Sequence, residues 1–156
     1  MHFTEMTTLE NIKSILIEQI SGYRFLLELL QKERLYLLNF DTQGVEVISK
    51  EKDVAIIRLR LIEEERIRLI NKYLSENNLR CEFTLQKLIE LTGDNNLSML
   101  RTQLISLMQS IEELNSFNMI LVGRSLNFVR HSMAFLESVG IDIDQLYKGA
   151  IFSKEI

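Results

Sequence analysis

The chain contains no proline and no tryptophan, one cysteine, two histidines and six glycines in 156 residues. Average usage of about 5% would supply roughly eight prolines. A proline inside a helix costs about 3 kcal/mol, so its complete absence favours long uninterrupted helices. Cys81 alone can form neither an internal disulfide nor a zinc site, and reads as a small, partly buried thiol. Catalysis needs converging groups, and the residue types that usually supply them are nearly missing. His2 lies near a terminus, and His131 falls beside apolar rows as a rim residue rather than a general base. A di-iron bundle site needs Glu-x-x-His, but Phe128 stands three residues before His131. Glu63-Glu64-Glu65 and Glu112-Glu113 are consecutive and fan around a helix instead of converging on one ligand. No glycine-rich phosphate loop or nucleophile elbow is present. The chain therefore reads as a non-enzyme with no cofactor and no metal.

Net charge is −4, from 18 basic and 22 acidic residues that are intermixed. That balance offers no basic footprint for a phosphate backbone, so nucleic acid is not an expected partner. Met1-His2-Phe3-Thr4-Glu5 lacks the basic start and apolar run of a signal peptide, and no apolar window is long enough to span a bilayer. These features predict a cytoplasmic protein without membrane insertion.

What is present is helical periodicity. Thr7-Thr8-Leu9-Glu10 is a capping box that starts a first helix near Thr8, with a seam through Leu9, Ile12, Leu16, Ile20, Tyr23, Leu27, Leu30 and Leu37. It should end near Phe40, where Asp41 caps a second helix from Thr42 to Glu76 that turns back antiparallel. The second helix faces the first with Val45, Ile48, Ala55, Leu59, Ile62, Leu69 and Tyr73, and shows solvent a ladder of Arg60, Glu64 and Arg68. A loop over Leu79 to Phe83, a short helix from Thr84 to Thr92 closed by Gly93, and caps in Asp94-Asn95-Asn96 lead into a last long helix. Long helices of about 33, 35 and 43 residues at 1.5 Å per residue make a rod. The predicted fold is all-α, an elongated antiparallel helical bundle of long hairpin, short helix and long C-terminal helix. Residues 1–139 form one rod domain, and 140–156 a flexible or partner-ordered tail, or else a docked C-terminal segment.

The last helix carries two rows of side chains at spacings of three and four. One runs Leu97, Leu100, Leu104, Leu107, Ile111, Leu114, Asn118, Leu121, Ser125, Phe128, Ser132, Phe135, Val139, and weakens at Asn118, Ser125 and Ser132. A second opens there: Met119, Val122, Leu126, Val129, Met133, Leu136. Either the bundle covers this second row as core, or it is a docking face, with Asn118, Arg124, Asn127, Arg130 and His131 as a polar rim. Two methionines suit a surface that adapts to a partner. Six such side chains at about 1.5 to 3 kcal/mol each, less the cost of association, correspond to micromolar helix-to-helix binding or somewhat tighter.

Leu29-Leu30-Gln31-Lys32-Glu33-Arg34 through Asn39-Phe40-Asp41, then Glu51-Lys52 and Leu61-Ile62-Glu63-Glu64-Glu65-Arg66, resemble the FlgN family of flagellar export chaperones. So does the run from Asn118 to Val129, with a tail tyrosine and glycine at Tyr147 and Gly149. The resemblance implies a cytoplasmic, ATP-independent chaperone. It would bind the hook-filament junction proteins FlgK and FlgL through its C-terminal region and escort them to the type III export gate. Client binding would then map to Met119, Val122, Leu126, Val129, Met133 and Leu136, and the export-gate contact to Tyr147, although the tail is rich in Ile and Phe and lacks the expected proline. The competing readings are a coiled-coil scaffold that buries the stripe in a homodimer, and a FliT-like flagellar chaperone.

Overall fold

The computed structural model describes residues 6–80 and 84–140. They form four helices and, among the described residues, no strand: α1 Thr8–Leu38, α2 Thr42–Glu76, α3 Leu85–Thr92 and α4 Asn95–Ser138. The expected order of long, long, short, long is the one found, with α1 stopping two residues short of Phe40. Cys81, His2 and the tail from 141 onward lie outside the described residues. Among the described residues no helix is long and apolar enough to cross a membrane.

Each helix starts on a side chain that satisfies an orphan amide. Thr7 Oγ1 accepts from the Glu10 N–H at 3.2 Å while the Glu10 carboxylate accepts from the Thr7 N–H at 3.0 Å, completing the capping box. The Asp41 carboxylate accepts from the Gly44 N–H at 2.9 Å to open α2, and Thr84 opens α3. Gly93 closes α3 at φ 62°, a left-handed conformation that glycine adopts without a Cβ penalty. Asp94 then caps α4 and also pairs with Lys13 of α1, fixing the start of α4 beside the start of α1. That Lys13 hydrogen bond, helped by the Asn96 and Leu97 amides, holds the Asp94 carboxyl below its usual range.

The chain runs up, down and up, so α2 is antiparallel to α1 and α4 is parallel to it. α1 packs along both, whereas α2 and α4 make no comparable approach to each other. A central helix must bury more than one side, and α1 does: Ile15, Leu26 and Leu29 are buried in addition to the seam through Ile12, Leu16, Ile20 and Leu30. α4, the longest helix at 44 residues, buries only Leu97, Leu104 and Asn118. Ile12, Leu16, Ile20, Leu69, Leu88, Leu97 and Leu104 form one core at the end where α3 closes the bundle. Leu26, Leu29, Leu30, Ile48, Ala55 and Leu59 form a second core that is mainly the hairpin's own.

Polar ties set the axial register. Thr8 Oγ1 donates to Glu76 at 2.7 Å, joining the open ends of the hairpin. Gln19, itself buried, donates to Glu63 at 2.5 Å, and Arg66 pairs with the same carboxylate. The ladder expected through Arg60, Glu64 and Arg68 is replaced by i,i+3 pairs, Arg66 with Glu63 and Arg68 with Glu65. Farther up, Asn118 Nδ2 donates at 2.9 Å to both the Leu30 carbonyl and Glu33, and Lys52 donates to Glu33 at 2.6 Å. One buried carboxylate thus joins α1, α2 and α4. Asn118, read from the sequence as a weak seam position and a rim residue, is 1% exposed and is no part of a rim.

Removing either partner of a buried polar pair leaves the other unsatisfied, at about 1 to 3 kcal/mol. Asn118→Ala should therefore lose about that much stability in urea unfolding. Asn118→Asp, which sets a second carboxylate against Glu33, should lose more at neutral pH. No loss in Asn118→Ala would show that the Asn118–Glu33 contact carries no energy, and equal losses in the two variants that a second carboxylate adds no repulsion. Burial pushes the Glu63 carboxyl up, but the Arg66 hydrogen bond and charge, with Gln19, bring it net below its ordinary value. A depressed carboxyl contributes stability above the ordinary carboxylate range and loses it as pH falls through the depressed value. Glu63→Gln should accordingly shrink the loss of stability between neutral and strongly acid pH, measured by urea unfolding along that range.

Candidate functional site

α1 and α4 start together, but α1 ends at Leu38 and α4 continues to Ser138. Phe40, at the hairpin tip, lies beside Phe128, with ring centroids 5.8 Å apart. The ten residues Val129 to Ser138 therefore project about 15 Å past the tip at 1.5 Å per residue. Where α4 passes the tip, a groove of about 360 Å3 opens between it and the hairpin. Its walls are almost entirely apolar: Tyr36, Leu37 and Phe40 from the end of α1, Val45 from the start of α2, and Val122, Leu126 and Val129 from α4.

Of the six stripe residues read from the sequence, Val122, Leu126 and Val129 line this groove. Met119, 67% exposed, continues the stripe below it, and Met133 and Leu136 continue it along the projecting end. Within this chain none of the six is buried. The bundle does not cover the second row as core: Met119 and Val122 lie beside the line on which α1 packs, and Met133 and Leu136 lie past the end of α1. Tyr147 lies outside the described residues. His131, Arg124, Asn127 and Arg130 are exposed. Among the described residues no cluster of His, Cys, Asp and Glu is arranged to hold a metal ion.

The hairpin's share of the groove escaped the sequence reading, which treated Phe40 and Val45 as ordinary helix residues. α1 ends in a Schellman turn: the Asp41 N–H donates to the Tyr36 carbonyl at 2.9 Å and the Phe40 N–H to Leu37 at 3.3 Å. That turn puts its second-to-last position, Phe40, at φ 54°. The equivalent residue after α2 is Asn78 and after α4 is Gly140, both of types suited to a positive φ. Phe40 is not, and its ring is 64% exposed on the groove wall. Gly44 makes room for the Tyr36 side of that wall, since a Cβ there would fall 2.4 Å from Cδ1 of Tyr36, inside the ring's contact distance. A residue without a Cβ lets that ring approach the first turn of α2 this closely.

A left-handed conformation costs an L-residue about 1 to 2 kcal/mol, which glycine does not incur. Phe40→Ala and Phe40→Gly both remove the ring and its contact with Phe128, but only alanine keeps the strain. The glycine variant should be the more stable of the two by about 1 kcal/mol in urea unfolding, and an alanine variant of equal stability would contradict the strained turn.

The geometry is that of an interaction surface, with an apolar groove at a helical tip extended by an uncovered helix face. The model of the family described as FlgN protein matches residues 1–150 of the chain. No curated protein and no solved structure matches it. With nearly its whole length matched, the all-α rod with the open tip belongs to the FlgN family of flagellar export chaperones.

Proposed function

We propose that this chain is a cytoplasmic, ATP-independent chaperone for junction proteins of the FlgK and FlgL type, and that it holds their C-terminal helical region on the distal half of α4. The observation that carries this reading is the uncovered apolar path that starts in the tip groove and runs on through Met133 and Leu136. A monomeric soluble protein rarely leaves so continuous an apolar face open unless a partner covers it. An amphipathic helix is the occupant that such a path accommodates, because its own apolar residues repeat at the same steps of three and four. Covering that helix withholds it from self-assembly until delivery to the export gate. Handover through Tyr147, in the tail, completes the proposal.

Val122, Leu126 and Val129 lie at the centre of the path, flanked by the Tyr36 and Phe40 rings. Truncation or charge at the centre of an interface costs most, since the group must then be buried without a partner. The chain and a FlgK or FlgL homologue from its own genome should co-elute as a stoichiometric complex in size-exclusion chromatography with light scattering. Leu126→Asp with Val129→Asp should weaken the complex by about a hundredfold or more. Phe40→Gly should weaken it less, without loss of fold. Wild-type affinity in the aspartate double variant would overturn the site. A homo-oligomer that resists dilution and takes no client would replace the chaperone by a scaffold whose stripe is buried in a dimer.

A further inference from the structure

The charge along α4 changes where the helix leaves the bundle. Between Glu113 and Glu137 there is no carboxylate, yet Arg124, Arg130 and His131 fall within that stretch, in a chain whose net charge is −4. Arg124 and Arg130 are exposed, and among the described residues neither pairs with a carboxylate. Three arginines of the bundle do pair or hydrogen-bond, Arg66 with Glu63, Arg68 with Glu65 and Arg101 with Gln86; what sets Arg124 and Arg130 apart is the absence of any carboxylate on their stretch of helix.

Helical spacing places the two arginines on opposite edges of the apolar face. Arg130 stands four residues after Leu126 and three before Met133, so it borders the leucine and methionine row. Arg124 stands seven after Phe117 and four before Phe128, so it borders a second exposed row that continues to Phe135. Between the rows lie Ser125 and Ser132, seven apart and small enough for another backbone to approach. This is the line along which α1 packs lower down, where Asn118 meets Leu30 and Glu33. Past the tip no described helix lies on that line, which has an apolar row on each side and a cation outside each row.

We infer that the distal half of α4 selects an amphipathic helix whose apolar face is flanked on both edges by carboxylates, which meet Arg124 and Arg130. The inference rests on the docking reading above and adds the charge pattern of the partner. Apolar area holds the helix; the arginines discriminate among helices of equal apolarity and suppress binding of cationic ones. Such rim pairs are exposed, so the selection is sensitive to salt.

Three synthetic peptides of about 18 residues, five helical turns, test this. All share one leucine seam and differ only in carrying Glu, Gln or Lys at the positions flanking it. Fluorescence anisotropy should rank their affinity for the chain as Glu, then Gln, then Lys, with about tenfold between the extremes at low salt and little difference near 1 M. Arg124→Glu combined with Arg130→Glu should reverse the order, while circular dichroism stays that of the parent because both side chains are exposed. Equal affinities for the three peptides, or an order unchanged in the reversed variant, would overturn the charge selection. If those equal affinities vanish with Leu126→Asp and Val129→Asp, the docking reading survives alone. Binding that ignores the aspartates, or no binding by any peptide, overturns both.

Discussion

The distal face depends on an inequality of length between two helices that run in parallel from a common start. Asp94, capping α4 and paired with Lys13 of α1, fixes that start. From there α1 runs 31 residues and α4 runs 44. Among the described residues α1 is the helix that covers α4 along its length, since α2 packs on α1 and not on α4. When α1 turns at Asn39, α4 therefore loses its cover within a turn or two of helix, while its apolar rows continue. Below the tip α1 covers only the seam side of α4, leaving Phe117, Met119 and Ile120 exposed beside it; past the tip the seam side opens as well.

Asn118 marks the change. Below it the α4 seam is aliphatic, through Leu97, Leu104 and Leu114; above it Ser125 and Ser132 alternate with Leu121, Phe128 and Phe135. Asparagine at a single buried seam position costs stability and specifies register, because only one axial alignment offers it partners. Here the partners are the Leu30 carbonyl and Glu33, and Glu33 in turn is held by Lys52 from α2. A slip of one turn along α1 would move Asn118 away from that carboxylate and leave its amide buried and unpaired. The joint so keeps the projecting length of α4 constant, and with it the alignment of Val122, Leu126 and Val129 against the hairpin tip. A docking surface built from two elements needs such an alignment, since an error of one turn, about 5.4 Å, would dismantle the groove.

The helices were legible in the sequence because each is signalled locally. Thr7 and Glu10, Asp41, Thr84, Gly93 and Asp94 all act where their types and spacing place them. The second apolar row of α4 was legible for the same reason, as a pattern of period 3.6 within one helix. Which helix lies at the centre was not. Ile15, Leu26 and Leu29 widen the apolar face of α1, but a seam read one row at a time passes over them, and the width of that face alone says that α1 has two neighbours. The partners of Asn118 are 85 and 88 residues away, beyond the reach of any local signal. Likewise Tyr36, Phe40 and Val45 meet Val122 and Val129 only because the hairpin turn falls at one height on α4.

Phe40 carries the same logic to a single residue. All four helices among the described residues end on a residue at positive φ, at or just past the cap, and three of those ends use Asn78, Gly93 and Gly140, which accept it readily. At the tip the position is Phe40, at φ 54°. Burial does not compensate the strain, because the ring is mostly exposed, and one tilted contact with Phe128 offsets about 0.5 to 1.5 kcal/mol at best. In a right-handed conformation the chain would continue α1 by another turn, carrying the ring off the groove wall and covering part of α4. The left-handed residue therefore both stops the helix that would bury the distal face and aims an aromatic ring at the opening so created. Backbone strain of this kind persists where surrounding structure enforces it, and it concentrates at sites that bind.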